Sequence, residues 1–154
     1  MLASLNIVSL RRHIHELEII LREYNIDILT LNETRLEPLI DDNEVAIPGY
    51  KIYRNDRNKN GGGVAAYVKD ELPEPKVKLR SNNLELLCLE FTPLHAKAFF
   101  VIAWYRPPTS AIDNPSFEAH REILKGFDSE DKEIILMGDT NCDLKAAKTQ
   151  MQKR

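Results

Sequence analysis

The sequence predicts an α/β sandwich, in which parallel and antiparallel strands form layers that are flanked by helices. Three observations support this prediction: apolar strand-like segments recur along the chain, polar turns join two pairs of them, and two helical segments lie between strands. The chain has 154 residues, of which 43% are hydrophobic and 29% charged, and this is enough for one domain with a sizeable core.

A strand–helix–strand unit is predicted at the start of the chain. Strands at residues 2–7 and 26–31 flank a helix at residues 10–24, which Ser9 can cap. The helix has an apolar stripe composed of Leu10, Ile14, Leu17, Leu21 and Tyr24. A helical connection of this kind joins parallel strands, so we expect the two strands to lie parallel in one sheet.

A loop and a hairpin are predicted next. Residues 37–49 are expected to form a loop with one short extended piece. Strands at residues 50–54 and 64–68 are then joined by the polar turn at residues 55–63. The glycines at 61–63 of that turn lack a following Gly-Lys-Ser/Thr ending and precede a strand, so they predict a flexible hairpin exit rather than a nucleotide-binding loop.

The second half of the chain is predicted to contain another hairpin, a helix and a last strand. The hairpin pairs residues 84–91 with 98–105 around the turn at residues 92–95. Asn114 and Pro115 are suitable cap and first-turn residues for a helix that runs to about Lys125 and ends at Gly126. The apolar residues 134–137 then form a buried strand.

Oxygen-bearing side chains follow three of the predicted strands. Asp139 and Asn141 come after the last strand and, being two residues apart, point to the same face of an extended chain. Glu33 and Asn6 end the second and first strands. Ligands of α/β sheets gather at such strand ends, and Mg²⁺ with a phosphate needs oxygen ligands of this kind. Each residue alone also fits a simpler interpretation, an Asn as a turn or cap residue and a Glu as a solvated side chain.

Charge is balanced overall but uneven locally. The formal net charge is −3, so no global basic field attracts nucleic acid. Residues 51–60 and 145–154 are locally basic, whereas Glu37, Asp41, Asp42 and Glu44 form an acidic patch. Solvated loops and a phosphate-facing role both explain the basic segments, and the sequence does not choose between them.

Cysteine usage and the N-terminus indicate an intracellular chain. Cys88 and Cys142 are too few for a disulfide framework or a zinc site, and Cys88 is expected to be a buried thiol. No basic leader and no apolar segment of membrane-spanning length is present, so we expect neither export nor membrane insertion, and a location in the nucleus or cytoplasm.

Several strings of the chain together resemble those of the endonuclease/exonuclease/phosphatase superfamily, in the same order. They are Asn6, Leu31-Asn32-Glu33-Thr34, Trp104-Tyr105-Arg106-Pro107-Pro108 and Gly138-Asp139-Thr140-Asn141. Within the superfamily the chain looks most like the apurinic-endonuclease-like domain of LINE-type, non-LTR retrotransposons. Five strings carry this closer resemblance: Ser4-Leu5-Asn6-Ile7, Glu33-Thr34-Arg35-Leu36, Gly61-Gly62-Gly63-Val64-Ala65, Tyr105-Arg106-Pro107-Pro108 and Asn141-Cys142-Asp143-Leu144.

The resemblance implies a four-layer α/β sandwich of the deoxyribonuclease I-like type and a Mg²⁺-dependent DNA endonuclease, with Mn²⁺ as an alternative metal. Glu33 would hold the metal with Asn6 beside it, and Asp139, Asn141 and Tyr105 would act on the water and the scissile phosphate. Arg35 and Arg106 could grip the nucleic-acid backbone. A reverse transcriptase domain would accompany this one in a full-length parent.

The family also has a C-terminal Ser-Asp-His string, which supplies a catalytic histidine, and this sequence contains no such string. We therefore expect an incomplete sandwich, made of a domain at residues 1–144 without its C-terminal part and a basic tail at residues 145–154. Weak or absent activity and a poorly soluble or partly molten chain are expected as well. Two other interpretations stay open: a non-catalytic remnant that binds nucleic acid or protein, and a phosphoesterase that acts on a lipid or small phosphate ester.

Overall fold

The computed structural model describes residues 1–81, 84–107 and 115–141, and at residues 115–117 the backbone only. In chain order the elements are β1 (Leu2–Asn6), α1 (Leu10–Glu23), β2 (Ile28–Asn32), β3 (Tyr50–Asn55), β4 (Val64–Lys69), β5 (Lys76–Ser81), β6 (Leu86–Phe91), β7 (Phe99–Tyr105), α2 (Pro115–Asp128) and β8 (Glu133–Asp139). A short 3₁₀ helix spans Asp42–Val45.

The first sheet has the strand order β1-β2-β4-β3. β1 and β2 are parallel, with Asn6 opposite Asn32 at their carboxyl ends. β4 pairs antiparallel with both β2 and β3. The predicted strand–helix–strand unit and the first hairpin are therefore confirmed.

The second sheet has the order β5-β6-β7-β8. β6 and β7 form the predicted antiparallel hairpin, and β8 adds to β7 in parallel, with Asp139 opposite Tyr105. β5 was not predicted from the sequence. Lysine and arginine alternate with its half-buried Val77 and Leu79, so this edge strand lacks the apolar run that marks the other strands.

Three apolar clusters hold four layers together in the order helix, sheet, sheet, helix. Leu17, Leu21, Leu29 and Leu31 belong to the cluster between α1 and the first sheet. The two sheets meet through a second cluster, which includes Val64, Ala66, Leu87, Val101 and Tyr105. α2 covers the outer face of the second sheet through Phe127, which packs with Phe100 and Ile102. The predicted sandwich is confirmed.

Two buried asparagines connect the sheets by hydrogen bonds. The amide nitrogen of Asn32, at the end of β2, donates to the main-chain carbonyl of Trp104 in β7 at 3.0 Å. Asn55, at the end of β3, donates to the carbonyls of Ser81 and Leu86 at 2.7 and 3.1 Å. Because these amides are buried, each lost bond leaves a polar group without water, and the bonds fix how one sheet sits on the other.

Details of the helices differ from the predictions. α1 ends at Glu23, and Tyr24 is 59% exposed instead of continuing the apolar stripe. Ser9 occupies the cap position, but its side chain makes no cap hydrogen bond. Gly126 lies inside α2, which continues to Asp128, because glycine only weakens a helix and Phe127 is anchored in the core. The expected cap Asn114 lies outside the described residues.

The loop before β3 forms a 3₁₀ turn where the sequence predicted an extended piece. Asp41 accepts from the backbone of Asn43, and the Glu44 side chain accepts from the backbone of Asp41, which is a capping box. Local hydrogen bonds of the acidic side chains therefore decide this conformation. Cys88 is buried as predicted, and burial raises the pKa of its thiol to about 12. Within the described residues no helix has the length and apolar character needed to cross a membrane.

Candidate active site

The turn that carries Glu33 follows directly after the fully buried strand β2. Glu33 and Arg35 both have positive φ angles, 55° and 53°, which non-glycine residues rarely adopt. The backbone N–H groups of Ser9 and Leu10, at the start of α1, donate to the carbonyls of Glu33 and Thr34 at 2.8 and 2.9 Å. Surrounding hydrogen bonds thus hold this turn in a strained conformation, as is common at functional sites.

The Glu33 carboxylate is a meeting point of the two sheets. Its Oε1 accepts from the Asn6 amide at 2.8 Å and from the Tyr105 hydroxyl at 3.2 Å. Its Oε2 lies 3.6 Å from the Arg35 guanidinium, and the side chain is 20% exposed. Asn6 reaches Glu33 because the parallel register of β1 and β2 puts their last residues side by side.

Tyr105 is buried at the carboxyl end of β7, with only 5% of its surface exposed. Burial raises the pKa of its hydroxyl to about 12, and the nearby negative charge of Glu33 adds to this effect. The hydroxyl is consequently a proton donor throughout the neutral range. Asp139 also raises this pKa, in agreement with its position beside Tyr105 in the β7–β8 register.

The end of β8 is shaped by a glycine. Gly138 has φ 138°, and a Cβ on it would lie 1.9 Å from the main-chain oxygen of Trp104. No other residue fits this approach, so the glycine lets β8 run against β7 up to Asp139. The carboxylate of Asp139 then accepts from the backbone N–H of Asn141 at 2.9 Å, and Asn141 has φ 44°.

Arg106 is buried and contacts the main chain after β8. Its guanidinium donates to the carbonyls of Thr140 and Asn141 at 2.8 and 2.9 Å, and 3% of the residue is exposed. In return, the Asn141 amide donates to the Arg106 carbonyl at 2.8 Å. Arg106 therefore holds the segment with Asp139 and Asn141 in place, and its position does not fit the expected grip on a nucleic-acid backbone.

The predicted site residues converge at one end of the sandwich. Glu33 bonds to Asn6 and Tyr105, and Tyr105 connects it to the neighbouring strand end with Asp139 and Asn141. Within residues 1–81, 84–107 and 115–141, no three His, Cys, Asp or Glu side chains are close enough to share a metal ion. A metal here would rely on the single carboxylate of Glu33, on Asn6 and on oxygens from outside the protein.

A basic cleft of about 560 Å³ lies beside this end of the sandwich. Arg35 lines it together with Arg11 and Arg12 of α1 and with Lys59, and Glu37 is the acidic residue in the lining. The arginines of α1 were not predicted as site residues, since they lie on the exposed face of a helix. Of these cations, Arg11 pairs with Glu44 and Arg35 with Glu33. In the basic stretch 51–60, Lys51, Arg54 and Arg57 likewise pair with acidic side chains, so their charges are already balanced within the protein.

Two other features were missed or misjudged from the sequence. Gly62 and Gly63 are buried against the Glu33 turn, so the expected flexible hairpin exit is wrong. Glu85 is a buried acid that contacts Gly63 and lies next to Tyr105, and its local sequence gives no sign that it is buried.

Comparison with known proteins defines the class. Residues 3–150 match the model of the Endonuclease/Exonuclease/phosphatase family, which is nearly the whole chain. The chain belongs to this family. No curated protein matches the sequence significantly.

Solved structures with the same fold include nucleases and related enzymes. An AP endonuclease from Archaeoglobus fulgidus is 22% identical with a TM-score of 0.64, and the match covers 91% of this chain and 56% of that one. TDP2 of D. rerio, humanized by 14 mutations, is 17% identical with a TM-score of 0.67, covering 96% and 68%. The endonuclease domain of TRAS1, a telomere-specific non-LTR retrotransposon, is 18% identical with a TM-score of 0.61, covering 94% and 60%. The fold is thus the deoxyribonuclease I-like sandwich, and the chain spans little more than half of the archaeal enzyme.

Proposed function

We propose that the chain is a metal-dependent phosphodiester hydrolase domain that acts on DNA. The observation that carries the proposal is the Glu33 carboxylate, which accepts hydrogen bonds from Asn6 of one sheet edge and Tyr105 of the other sheet. Asp139 lies directly across from Tyr105 at the next strand end. A carboxylate, a second carboxylate and two amides at adjoining strand ends suit the hydrolysis of a phosphate ester.

The residues present fit a bound Mg²⁺ or Mn²⁺. Mg²⁺ commonly uses only one or two carboxylates and fills its other positions with water and substrate phosphate. Glu33 would supply the carboxylate and Asn6 an amide oxygen. A bound ion would neutralise charge on the phosphate during hydrolysis.

The protein groups have distinct roles in this proposal. Asp139 positions or deprotonates the attacking water, and Asn141 holds the scissile phosphate through its side-chain amide. Tyr105 stays protonated because of its raised pKa, so its hydroxyl donates to Glu33 or to the phosphate. Arg35 borders the basic cleft, which supports a role for it in contacting the nucleic-acid backbone. Arg106 acts by fixing the Asp139 segment.

DNA as the substrate and a retrotransposon origin are supported by different observations. Solved structures with this fold include a Neisseria 3′ phosphatase bound to a product DNA hairpin and D. rerio TDP2 with a single-stranded DNA product. The retrotransposon assignment rests on the sequence strings around Asn6, Glu33, Tyr105 and Asn141, and on the presence of the TRAS1 domain among the similar folds. A parent protein with a reverse transcriptase domain, active in the nucleus or cytoplasm, belongs to the same proposal.

A plasmid-nicking assay tests the function. Supercoiled plasmid and Mg²⁺ are incubated with the wild-type chain, with Glu33→Ala, with Asp139→Ala and with Glu23→Ala, a control at an exposed acid of α1. We expect low wild-type activity, because the sequence lacks the Ser-Asp-His string, and a further loss of about 10²-fold or more in the two site variants. Chelation of the metal should abolish nicking. Equal rates in all four proteins would dismiss Glu33 and Asp139 as catalytic residues.

A non-catalytic nucleic-acid-binding module is the second candidate, and the basic cleft favours it. The cations that line this cleft can bind a nucleic-acid backbone without any catalytic group; they are Arg11, Arg12, Arg35 and Lys59. Binding of DNA that weakens with rising salt, with no metal-dependent nicking by the wild type, would support this candidate over the hydrolase.

A further inference from the structure

Glu85 is a buried acid that lies outside the groups assigned to the proposed reaction. It precedes β6, and only 9% of its surface is exposed. Its Oε2 accepts from the backbone N–H of Gly63 at 2.6 Å, and its Oε1 accepts from the Arg57 guanidinium at 2.7 Å. A carboxylate this far removed from water needs such partners, so Glu85 is strongly bound to the glycine segment.

The glycine segment is built to receive this carboxylate. A Cβ on Gly62 would lie 2.2 Å from the Oε2 of Glu85, and Gly62 has φ 73°. A side chain at this position would displace the carboxylate. Gly62 therefore permits the close contact with Glu85, and Gly63 permits a close contact with Thr34, whose Oγ1 would lie 2.5 Å from an added Cβ.

The same segment holds the turn that carries Glu33. The N–H of Thr34 donates to the Gly63 carbonyl at 3.3 Å, and the N–H of Arg35 donates to the Gly62 carbonyl at 3.0 Å. Since Glu33 and Arg35 have positive φ angles, the turn depends on contacts from outside to keep its conformation. Hydrogen bonds therefore lead from the Glu85 carboxylate through the Gly62–Gly63 segment to Thr34 and Arg35, the two residues that follow Glu33 in the turn.

Glu85 also holds the second half of the site through its main chain. Its carbonyl accepts from the N–H of Tyr105 at 2.9 Å, and the Tyr105 hydroxyl donates to Glu33. One residue thus fixes the relative position of the Glu33 turn in the first sheet and of Tyr105 in the second.

We propose that Glu85 is a positioning residue of the metal site, which keeps the Glu33 carboxylate in its binding geometry through the Gly62–Gly63 segment. This inference rests on the proposed function, because it assigns Glu33 to the metal. Residues that orient a metal ligand in this way typically affect metal affinity by about 10–100-fold when they are changed.

Three variants and one metal test this inference. Glu85→Ala removes both bonds of the carboxylate. Glu85→Gln keeps a carbonyl oxygen for the Gly63 N–H and loses the ion pair and hydrogen bond with Arg57, because its amide NH2 cannot accept from the guanidinium. Glu90→Ala is the matched control, because Glu90 is an ion-paired acid of the same strand region whose partner is Lys132. Binding of Mn²⁺ is measured by electron paramagnetic resonance, and hydrogen exchange at the amides of Thr34 and Arg35 is followed by NMR.

The expected pattern separates positioning from general stability. Glu85→Ala should weaken Mn²⁺ binding by about tenfold or more and speed exchange at Thr34 and Arg35, while the amides of β4 stay protected. Glu85→Gln should stay within about threefold of the wild type, and Glu90→Ala should match it.

Two results would overturn the inference. The first is that Glu85→Ala shows the same Mn²⁺ affinity and the same hydrogen exchange as Glu90→Ala. The second is that Glu85→Ala speeds hydrogen exchange at Thr34, at Arg35 and in β4 to the same extent, which indicates a purely structural role. Failure of the wild-type chain to bind Mn²⁺ would instead dismiss the proposed metal site. In that case the exchange at Thr34 and Arg35 still decides whether Glu85 holds the turn.

Discussion

The Tyr105 hydroxyl joins the two halves of the candidate site. Tyr105 comes from the second sheet and Glu33 from the first, and their 3.2 Å hydrogen bond crosses the space between them. Burial and the nearby Glu33 raise the pKa of Tyr105, which keeps the proton on the hydroxyl and the bond intact at neutral pH. Tyr105 therefore has a defined polar partner in Glu33, although an aromatic residue at the end of a strand commonly serves only in packing.

This contact predicts a change in stability at high pH. The pKa of Tyr105 rises from 10.0 to about 12 on folding, so the unfolded chain releases the proton first. The contribution of Tyr105 is fully present below pH 10 and is lost as the pH rises to about 12. Phenylalanine has no proton to release. Between pH 10 and about pH 12 the free energy of unfolding of the wild type should therefore fall further than that of Tyr105→Phe, by on the order of 2 kcal/mol.

Urea unfolding at several pH values between 9 and 12 measures this difference. Tyr24→Phe is the control, because Tyr24 is 59% exposed and should follow the wild-type curve. Identical curves for Tyr105→Phe and the wild type would show that Tyr105 titrates normally in the folded chain.

At the scale of elements, the two strand ends that carry the site are held by different means. The turn after β2 is fixed by hydrogen bonds from α1 and from the Gly62–Gly63 segment. The end of β8 is fixed by close backbone packing at Gly138 and by the buried guanidinium of Arg106. Contacts within the protein therefore define both strand ends, which favours precise positioning of catalytic groups.

Two glycine-to-alanine changes should have opposite effects on stability. Gly138→Ala places a Cβ 1.9 Å from the Trp104 oxygen at φ 138°, so it should destabilise the chain by about 2 kcal/mol or more. Gly126→Ala lies in α2 with nothing within 4 Å of the added Cβ, so it should stabilise by about 0.5–1 kcal/mol. Denaturant unfolding of both variants tests the pair, and a neutral Gly138→Ala would contradict the described end of β8.

At the scale of the whole molecule, the edge strands β1 and β8 leave apolar side chains in water. Leu2 and Leu5 of β1 and Leu136 of β8 are between 36% and 42% exposed. In addition, an apolar cleft of about 330 Å³ opens between the sheets and is lined by Leu2, Ile28, Phe91, Phe99 and Ile135 among others. Edge strands with exposed apolar side chains are sites of association between chains.

We therefore expect the chain of 154 residues to be poorly soluble or partly molten. It should bind a dye that reports exposed apolar surface and unfold with low cooperativity. Leu5→Lys with Leu136→Lys should reduce association measured by light scattering. Leu39→Lys is the control and should leave association unchanged, because Leu39 lies in a loop and its side chain is 95% exposed. A sharp cooperative melt without dye binding would contradict this expectation.

The sequence predicted most elements and the polar side chains at the strand ends, because both depend on local patterns. Apolar runs marked β1, β2, β4, β6, β7 and β8, and polar side chains at the ends of β2 and β8 marked Glu33, Asp139 and Asn141. β5 escaped because its polar residues alternate with few apolar ones. At Gly126 the sequence predicts the end of a helix, but α2 continues to Asp128 because Phe127 is anchored in the folded core, which no local pattern reports.

The arrangement of the site was decided by tertiary structure alone. The contact of Tyr105 with Glu33 joins residues 72 positions apart, and the Glu85 contact with Gly63 joins residues 22 apart, so no local pattern reports either. Arg106 has the sequence context of an exposed basic residue, yet the fold buries it against the carbonyls of Thr140 and Asn141. Local sequence determined which chemical groups reach the strand ends. The packing of one sheet on the other decided which of them meet, because hydrogen bonds between distant segments form only once the core has brought them together.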